Sequence, residues 1–355
     1  MERKKIVLLI GDITTGGGSE RVVSHLANAF CEFYEVELLS IYKANETPTF
    51  ALDDRIKLSF LHFKERKRVR TFFYKLIDKF YESYLLKQKC KEADIIIYNN
   101  CPHYPLFKNK NTHYLYILHE RQKKFRTKYK HYDALIAINL KQKALLEKHH
   151  KNVIYIPNFL PKIPDVITNH QQKVVLYLGR FSKEKGVLRL IDIWKKVQEE
   201  AKFREWNLVF VGDGVLKEAM QDKINKLNLN DTIIIKGFTN DVEKEYLGAS
   251  IYAMSSYNEG FGMVLIESAS YGLPSVAFDI AGLSDIIENE KSGFLIEDDD
   301  LKDYADKLQI LMRDENLRKT MGENAKQIVK KRFSKEIILK KWQEIYLILI
   351  ASLFS

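Results

Sequence analysis

The chain is an α/β protein of two doubly wound parallel-sheet domains, and three observations carry that expectation. Short apolar runs of strand length alternate with amphipathic helical stretches along the whole sequence, the pattern of a parallel sheet covered by helices. The alternation comes in two series, separated by a proline-bearing stretch. A length of 355 residues suits two domains of ordinary size, each able to bury its own core.

The first series opens with KKIVLLIGD, a continuous apolar strand, then a glycine run, then SERVVSHLANAFCEF with apolar residues at helical spacing. EVELLSIY, ADIIIYNN, HYLYILHE, DALIAIN and NVIYIPN continue it as short strands separated by loops or helices. Residues 157–173, PNFLPKIPDVITNHQQK, collect three prolines among polar residues and have the composition of a linker. VVLYLG, WNLVFVG, DTIIIKG, IYAMSS and SVAFD form the second series. In such sheets ligands bind beyond the carboxyl ends of the strands, so the two domains are expected to face each other across a cleft. We place the domains at 1–160 and 161–335, with a terminal helix at 336–355.

The segment richest in chemistry is SSYNEGFGMVLIESASYGLPSVAFDIAG, residues 255–282. It reads as strand, glycine loop, helix, strand, and it sets Glu259 and Glu267 eight positions apart. A helix starting at a glycine loop offers unpaired N–H groups and the positive end of its dipole, a seat for phosphate. Glu267 lies early in that helix, and helical side chains lean toward the N-terminus, so its carboxylate suits a pair of ribose hydroxyls. Glu259, ahead of the helix, faces another part of the ligand. A nucleotide sugar has all three groups.

This Glu, seven residues, Glu segment resembles the motif of the retaining glycosyltransferases of family 4. The resemblance extends over the chain, because the glycine run with SERVV, YLGRFSKEKG at 177–186 and VGDG at 211–214 fall in the same order. It implies the GT-B fold, with an N-terminal acceptor-binding domain, a C-terminal nucleotide-sugar domain and a last helix crossing back to the first. The implied reaction moves a hexosyl group, with retention, from a nucleoside diphosphate sugar, a UDP-sugar favoured, to a saccharide acceptor in cell-surface polysaccharide or glycoconjugate synthesis. Arg180 and Lys185 would hold and stabilise the departing diphosphate together with the N–H groups from Phe261 through Gly262 and Met263 to Val264. Glu259 and His119 would contact the donor hexose. Gly17 and Gly18 approach the donor from the N-terminal side, and Gly212 and Gly260 border the nucleotide.

No cofactor or metal is expected. The Asp-x-Asp within EDDD at 297–300 precedes a helix, where acidic residues are stabilised by the dipole alone. Cys31, Cys90 and Cys101 are odd in number and lack metal spacing, so they read as buried thiols. The glycine run lacks the G-x-G-x-x-G spacing of a dinucleotide site. Two other readings differ in class: a sugar-nucleotide epimerase or hydrolase, for which acid and base groups cannot be placed, and a non-catalytic nucleotide-sugar-binding subunit, which would not need the Glu, Arg and Lys set.

The formal charge of +10 is uneven. Residues 1–165 carry 30 Lys and Arg against 18 Asp and Glu, whereas residues 166–355 carry 27 against 29. Two stretches, 64–81 and 121–132, interleave cations with aromatic residues. Nucleic acid could use that pattern; so can an anionic leaflet, where each Lys or Arg adds about 1 kcal/mol and rings settle at the interface. The implied acceptor is often lipid-linked, which favours the membrane and no nucleic acid. No apolar run has the roughly 18 residues of a spanning helix, so the chain is expected in the cytoplasm, peripheral on the inner face of the cell membrane.

Overall fold

A computed structural model describes residues 3–63, 72–121, 124–280 and 282–351. The chain forms two compact units, Met1–Pro161 with Ile338–Ser355, and Lys162–Ile337.

The first unit runs β1 (Lys5–Ile10), α1 (Gly18–Phe30), β2 (Glu35–Ser40), β3 (Lys57–Phe60), α2 (Phe72–Lys89), β4 (Ile95–Asn99), β5 (His113–Leu118), β6 (Ala134–Ala137), α3 (Leu140–Glu147) and β7 (Val153–Tyr155). Among the described residues these strands make one sheet, ordered β3-β2-β1-β4-β5-β6-β7, every pair parallel. Its centre is fixed by register: Leu8 of β1 lies opposite Leu38 of β2 on one side and Ile97 of β4 on the other. Leu8 is wholly buried, so truncating it to Ala removes apolar contact worth about 2–5 kcal/mol. Val7, Leu9, Ile96, Tyr98, Tyr116 and Tyr132 belong to the core on one face. The three cysteines are buried thiols.

The second unit runs β8 (Val174–Leu178), α4 (Val187–Val197), β9 (Asn207–Val211), α5 (Lys217–Lys226), β10 (Ile233–Lys236), α6 (Val242–Leu247), β11 (Ile251–Met254), α7 (Met263–Ser270), β12 (Ser275–Phe278), β13 (Gly293–Ile296), α8 (Leu301–Arg313) and α9 (Glu315–Arg332). Its sheet is again parallel, ordered β10-β9-β8-β11-β12-β13. Trp194 of α4 is fully buried, and its indole N–H still finds a partner in the Thr232 hydroxyl at 3.1 Å. A last helix, α10 (Lys335–Ala351), enters the first unit at Ile338. There Trp342 meets Phe30 of α1 edge-on at 5.4 Å.

The two-series reading of the sequence matches these two sheets, but it omits one edge strand of each, β3 and β13. Each has four residues: KLSF carries a lysine and a serine, and GFLI begins on a glycine, so neither shows a run of strand length. Part of the proline-bearing stretch is also more than a tether. The Lys326 ammonium donates to the carbonyls of Asp165 and Val166 at 3.0 and 3.1 Å, and Thr168 N–H donates to Tyr271 at 2.9 Å. The buried Arg318 guanidinium donates to the His170 carbonyl at 2.9 Å. Residues 165–170 therefore pack into the second unit, where Thr168 and His170 are buried.

Candidate active site

In both sheets the strand order reverses at one place, between β1 and β4 and between β8 and β11. Loops leaving neighbouring strands diverge there, which opens room for a ligand. The helices that follow β1, β8 and β11 are α1, α4 and α7, and all three start at a glycine without a side-chain cap. By contrast, side chains of Asn139, Asp241, Asp300 and Asp314 accept bonds from the first turns of α3, α6, α8 and α9. The first turns of α4 and α7 keep the uncapped dipole end that suits an anion.

In the second unit the loops after β8 and β11 are stitched together. Tyr257 N–H donates to the Glu184 carbonyl at 2.8 Å, and the Ser255 hydroxyl to that of Gly186 at 3.0 Å. Gly186 has φ +66°, and any Cβ there would collide with the Ser255 carbonyl, so only glycine allows this approach. The result brings Lys185 against Glu259: the ammonium is 2.7 Å from Oε1, which also accepts from the Ser256 hydroxyl at 2.6 Å. Glu259 is buried and Lys185 about one-third exposed. Removing the lysine would leave a desolvated carboxylate short of its counter-charge. Arg180 stands exposed on the same loop. The Glu184 carboxyl lies below its ordinary range, through its own N–H first, then the Ser182 hydroxyl, with Arg180 and Lys185 adding their charge.

Beyond Glu259 the half-buried Gly260 leads to Phe261, which is buried edge-on against Phe333 at 5.6 Å. Gly262 takes the left-handed conformation and starts α7, leaving Met263 and Val264 half-buried in the first turn. Glu267, also half-buried, accepts from the Tyr246 hydroxyl at 3.1 Å. Tyr246 is buried and stacked on Tyr271, ring centres 5.1 Å apart. Behind this, a Cβ at Gly212 would strike the Gly179 carbonyl, so the packing of the loops after β8 and β9 by itself demands glycine there. The EDDD carboxylates have partners in the chain: Asp298 accepts from Arg189 at 2.9 Å, and Asp300 caps α8.

In the first unit His119 follows β5 and is buried, its Nε2 2.8 Å from Asn99 Oδ1. Burial pushes its pKa down to about 4, so the ring is neutral at physiological pH. At the start of α1 the Glu20 carboxylate folds back over Gly17, where a Cβ would collide with it, whereas the corresponding space at Gly18 is open. Burial raises the Glu20 pKa, against bonds from its own N–H, from Thr15 and from Gly17.

Residues 161–328 match the family model of glycosyl transferases group 1. An uncharacterized glycosyltransferase of Haemophilus influenzae is 27% identical over 361 residues, covering 96% of this chain and 99% of its own. The Campylobacter jejuni GalNAc-alpha-(1->4)-GalNAc-alpha-(1->3)-diNAcBac-PP-undecaprenol alpha-1,4-N-acetyl-D-galactosaminyltransferase is 26% identical over 346 residues, covering 91% and 93%. A Staphylococcus aureus TarM variant, crystallised with fondaparinux, alpha-GlcNAc-glycerol and UDP, superposes with a TM-score of 0.75 at 18% identity over 97% and 99% of the two chains. Residues 161–328 are a group 1 glycosyltransferase domain, and the chain has the GT-B fold.

Within this glycosyltransferase the structure brings Lys185, Glu259, Gly260 and the start of α7 together, with Glu267 about one turn along the same helix. Arg180 shares their loop without an ion pair among the described residues. Three partners were not anticipated from the sequence: Ser256, Tyr246 and Arg189. The last lies among buried apolar positions of α4, in GVLRLIDIWKKV, and a charge on that face is the one signal that could have disclosed it.

Proposed function

We propose that this glycosyltransferase moves a hexosyl group from a nucleoside diphosphate sugar, a UDP-sugar favoured, to a saccharide acceptor with retention at the anomeric carbon. The observation that carries the proposal is the Lys185–Glu259 pair at the uncapped start of α7, with Glu267 held by Tyr246. A cation beside a helix N-terminus fits a departing diphosphate, to which Arg180 adds a second charge. Glu259 presents its carboxylate to hexose hydroxyls, and Glu267 takes the ribose. The second unit thus binds the nucleotide sugar; the first, the acceptor-binding domain, contributes neutral His119 and the loop at Gly17 and Gly18 to sugar recognition. Two similar structures support the ligand class, since the TarM variant and a pneumococcal O-GlcNAc transferase were both solved with UDP.

No divalent metal takes part in this scheme, because fixed cations occupy its role. The test is turnover of a UDP-sugar panel with excess EDTA, where the rate should stay within about twofold, about 0.4 kcal/mol in barrier. Abolition by EDTA and rescue by manganese would sink the scheme. An NMR assignment of the product anomer tests retention in the same reaction.

We further propose a lipid-linked saccharide acceptor in cell-surface polysaccharide synthesis, reached from the cytoplasmic face of an anionic membrane. The Campylobacter relative's name specifies an undecaprenol-linked saccharide, and relatives from Erwinia amylovora and Staphylococcus aureus are named for amylovoran and capsular polysaccharide biosynthesis. On α2, Ile77, Phe80, Tyr81 and Tyr84 are each about half exposed at positions i, i+3, i+4 and i+7, an apolar stripe on one helix face. Phe107 packs against Phe80 and Tyr84 at 6.2 and 6.5 Å and extends it. The basic run from Lys64 to Arg70, part of the same expectation, lies outside the described residues, as do Gln122 and Lys123 of the second basic stretch. Among the described residues no helix is long and apolar enough to cross a membrane, so this surface is assigned peripheral contact.

A further inference from the structure

We propose that Arg189 is a positioning residue of the transfer reaction, acting through Glu259; the inference rests on the assignment of Glu259 to the donor hexose. Arg189 lies on α4 and is 4% exposed. Its Nε donates to the Ser255 carbonyl at 2.6 Å and its Nη2 to that of Ser256 at 2.5 Å. These two carbonyls follow β11 and begin the loop that carries Glu259. Nη1 meets Asp298 at 2.9 Å, with Asp299 at 3.7 Å. The guanidinium carbon lies 3.7 Å from the Tyr257 ring centre and 3.8 Å from that of Phe278.

One planar cation is thus fixed within its plane by hydrogen bonds and from outside it by two aromatic rings. That matters for Glu259, because Ser256 supplies both a backbone carbonyl to Arg189 and a hydroxyl to Glu259 Oε1. Rotating the Ser256 peptide would move the hydroxyl that orients the carboxylate. Gly186 works in the same direction by admitting the Ser255 carbonyl against the start of α4. Charge balance in this pocket is also shared: Asp298 and Asp299 answer Arg189 on its solvent side, so the carbonyl-facing edge is free to act as a clamp. A lysine could fill the position with its charge but offers no fork for two carbonyls and no flat face for two rings.

The positioning role predicts a kinetic signature distinct from a loss of fold. With the member of a panel of UDP-glucose, UDP-galactose, UDP-GlcNAc and UDP-GalNAc that is hydrolysed fastest, Arg189→Lys should lower kcat by about 30-fold while the donor KM stays within about threefold. Glu259→Gln should lower kcat on its own. In the Glu259→Gln background, adding Arg189→Lys should change kcat by less than about twofold, because the clamp then has no carboxylate to position. Equal factors in both backgrounds, or an unchanged kcat in Arg189→Lys, would overturn the proposal alone. An unchanged kcat in Glu259→Gln would overturn the Glu259 assignment and the proposal with it. Should Arg189→Lys not fold, Asp298→Asn, which loosens only the outer end of the guanidinium, carries the same cycle with an expected fivefold loss, and additivity there counts against the clamp.

Discussion

At the scale of single residues, the two motif glutamates are held by different partners, and this separates their expected effects. Glu267 accepts from a buried tyrosine on α6, and Glu259 from a lysine and a serine at the loop. Glu267→Gln should weaken nucleoside diphosphate binding by about 1.5–3 kcal/mol, the range for bonds to a charged group, and Tyr246→Phe by about 1 kcal/mol. Glu259→Gln should leave that affinity unchanged and impair turnover. Calorimetry with UDP beside donor hydrolysis separates the two, and normal binding with normal turnover in both glutamate variants would make the motif purely structural. The pair was legible because its signal is local, two carboxylates around a glycine loop and a helix start. Arg189 and Tyr246 were not, because their meaning comes from partners 66 and 21 residues away in the chain.

Among the elements, the central strands were the most legible. The central strands β1, β8 and β11 announce themselves as unbroken apolar runs, whereas the edge strands β3 and β13 do not. Glycines were legible as turns but not in their reasons, which the structure supplies. Gly186 is demanded by the Ser255 carbonyl, so Gly186→Ala should cost stability well beyond 1 kcal/mol in urea denaturation. At Gly18 nothing lies within 4 Å of an added Cβ, so Gly18→Ala should leave stability within about 0.5 kcal/mol. If that open space receives substrate, the same variant lowers the transfer rate at unchanged stability; unchanged transfer would remove this loop from the site. The α2 stripe makes a separate claim. Replacing Phe80, Tyr81 and Tyr84 by Ser should reduce co-sedimentation with vesicles containing acidic lipid while sparing donor hydrolysis. Equal binding of the parent protein to neutral and acidic vesicles would reject the membrane reading.

For the whole molecule, the two parallel sheets were readable from alternation alone, but the attachment of Asp165–His170 was not, since that segment looks like a tether and is bonded into the second unit by Lys326, Arg318 and Tyr271. Burial of ionisable groups in both units has a consequence that also no motif reveals. His25 and His119 in the first unit and His170 in the second are each pushed down to about 4, chiefly by burial. An unfolded chain binds these protons near 6.5, so between there and about pH 4 the unfolded state carries more of them, and stability falls as the pH drops through that window. For His119 the full effect is up to about 3 kcal/mol. The urea midpoint should therefore decline from pH 6.5 to 4, and His119→Gln, which keeps a hydrogen-bonding group beside Asn99 but cannot titrate, should reduce the slope by up to about one proton, or about 1.4 kcal/mol per pH unit. An identical slope in the variant would mean that His119 takes up its proton at the same pH in the folded protein as in the unfolded chain, so that burial does not hold its imidazole neutral through this window.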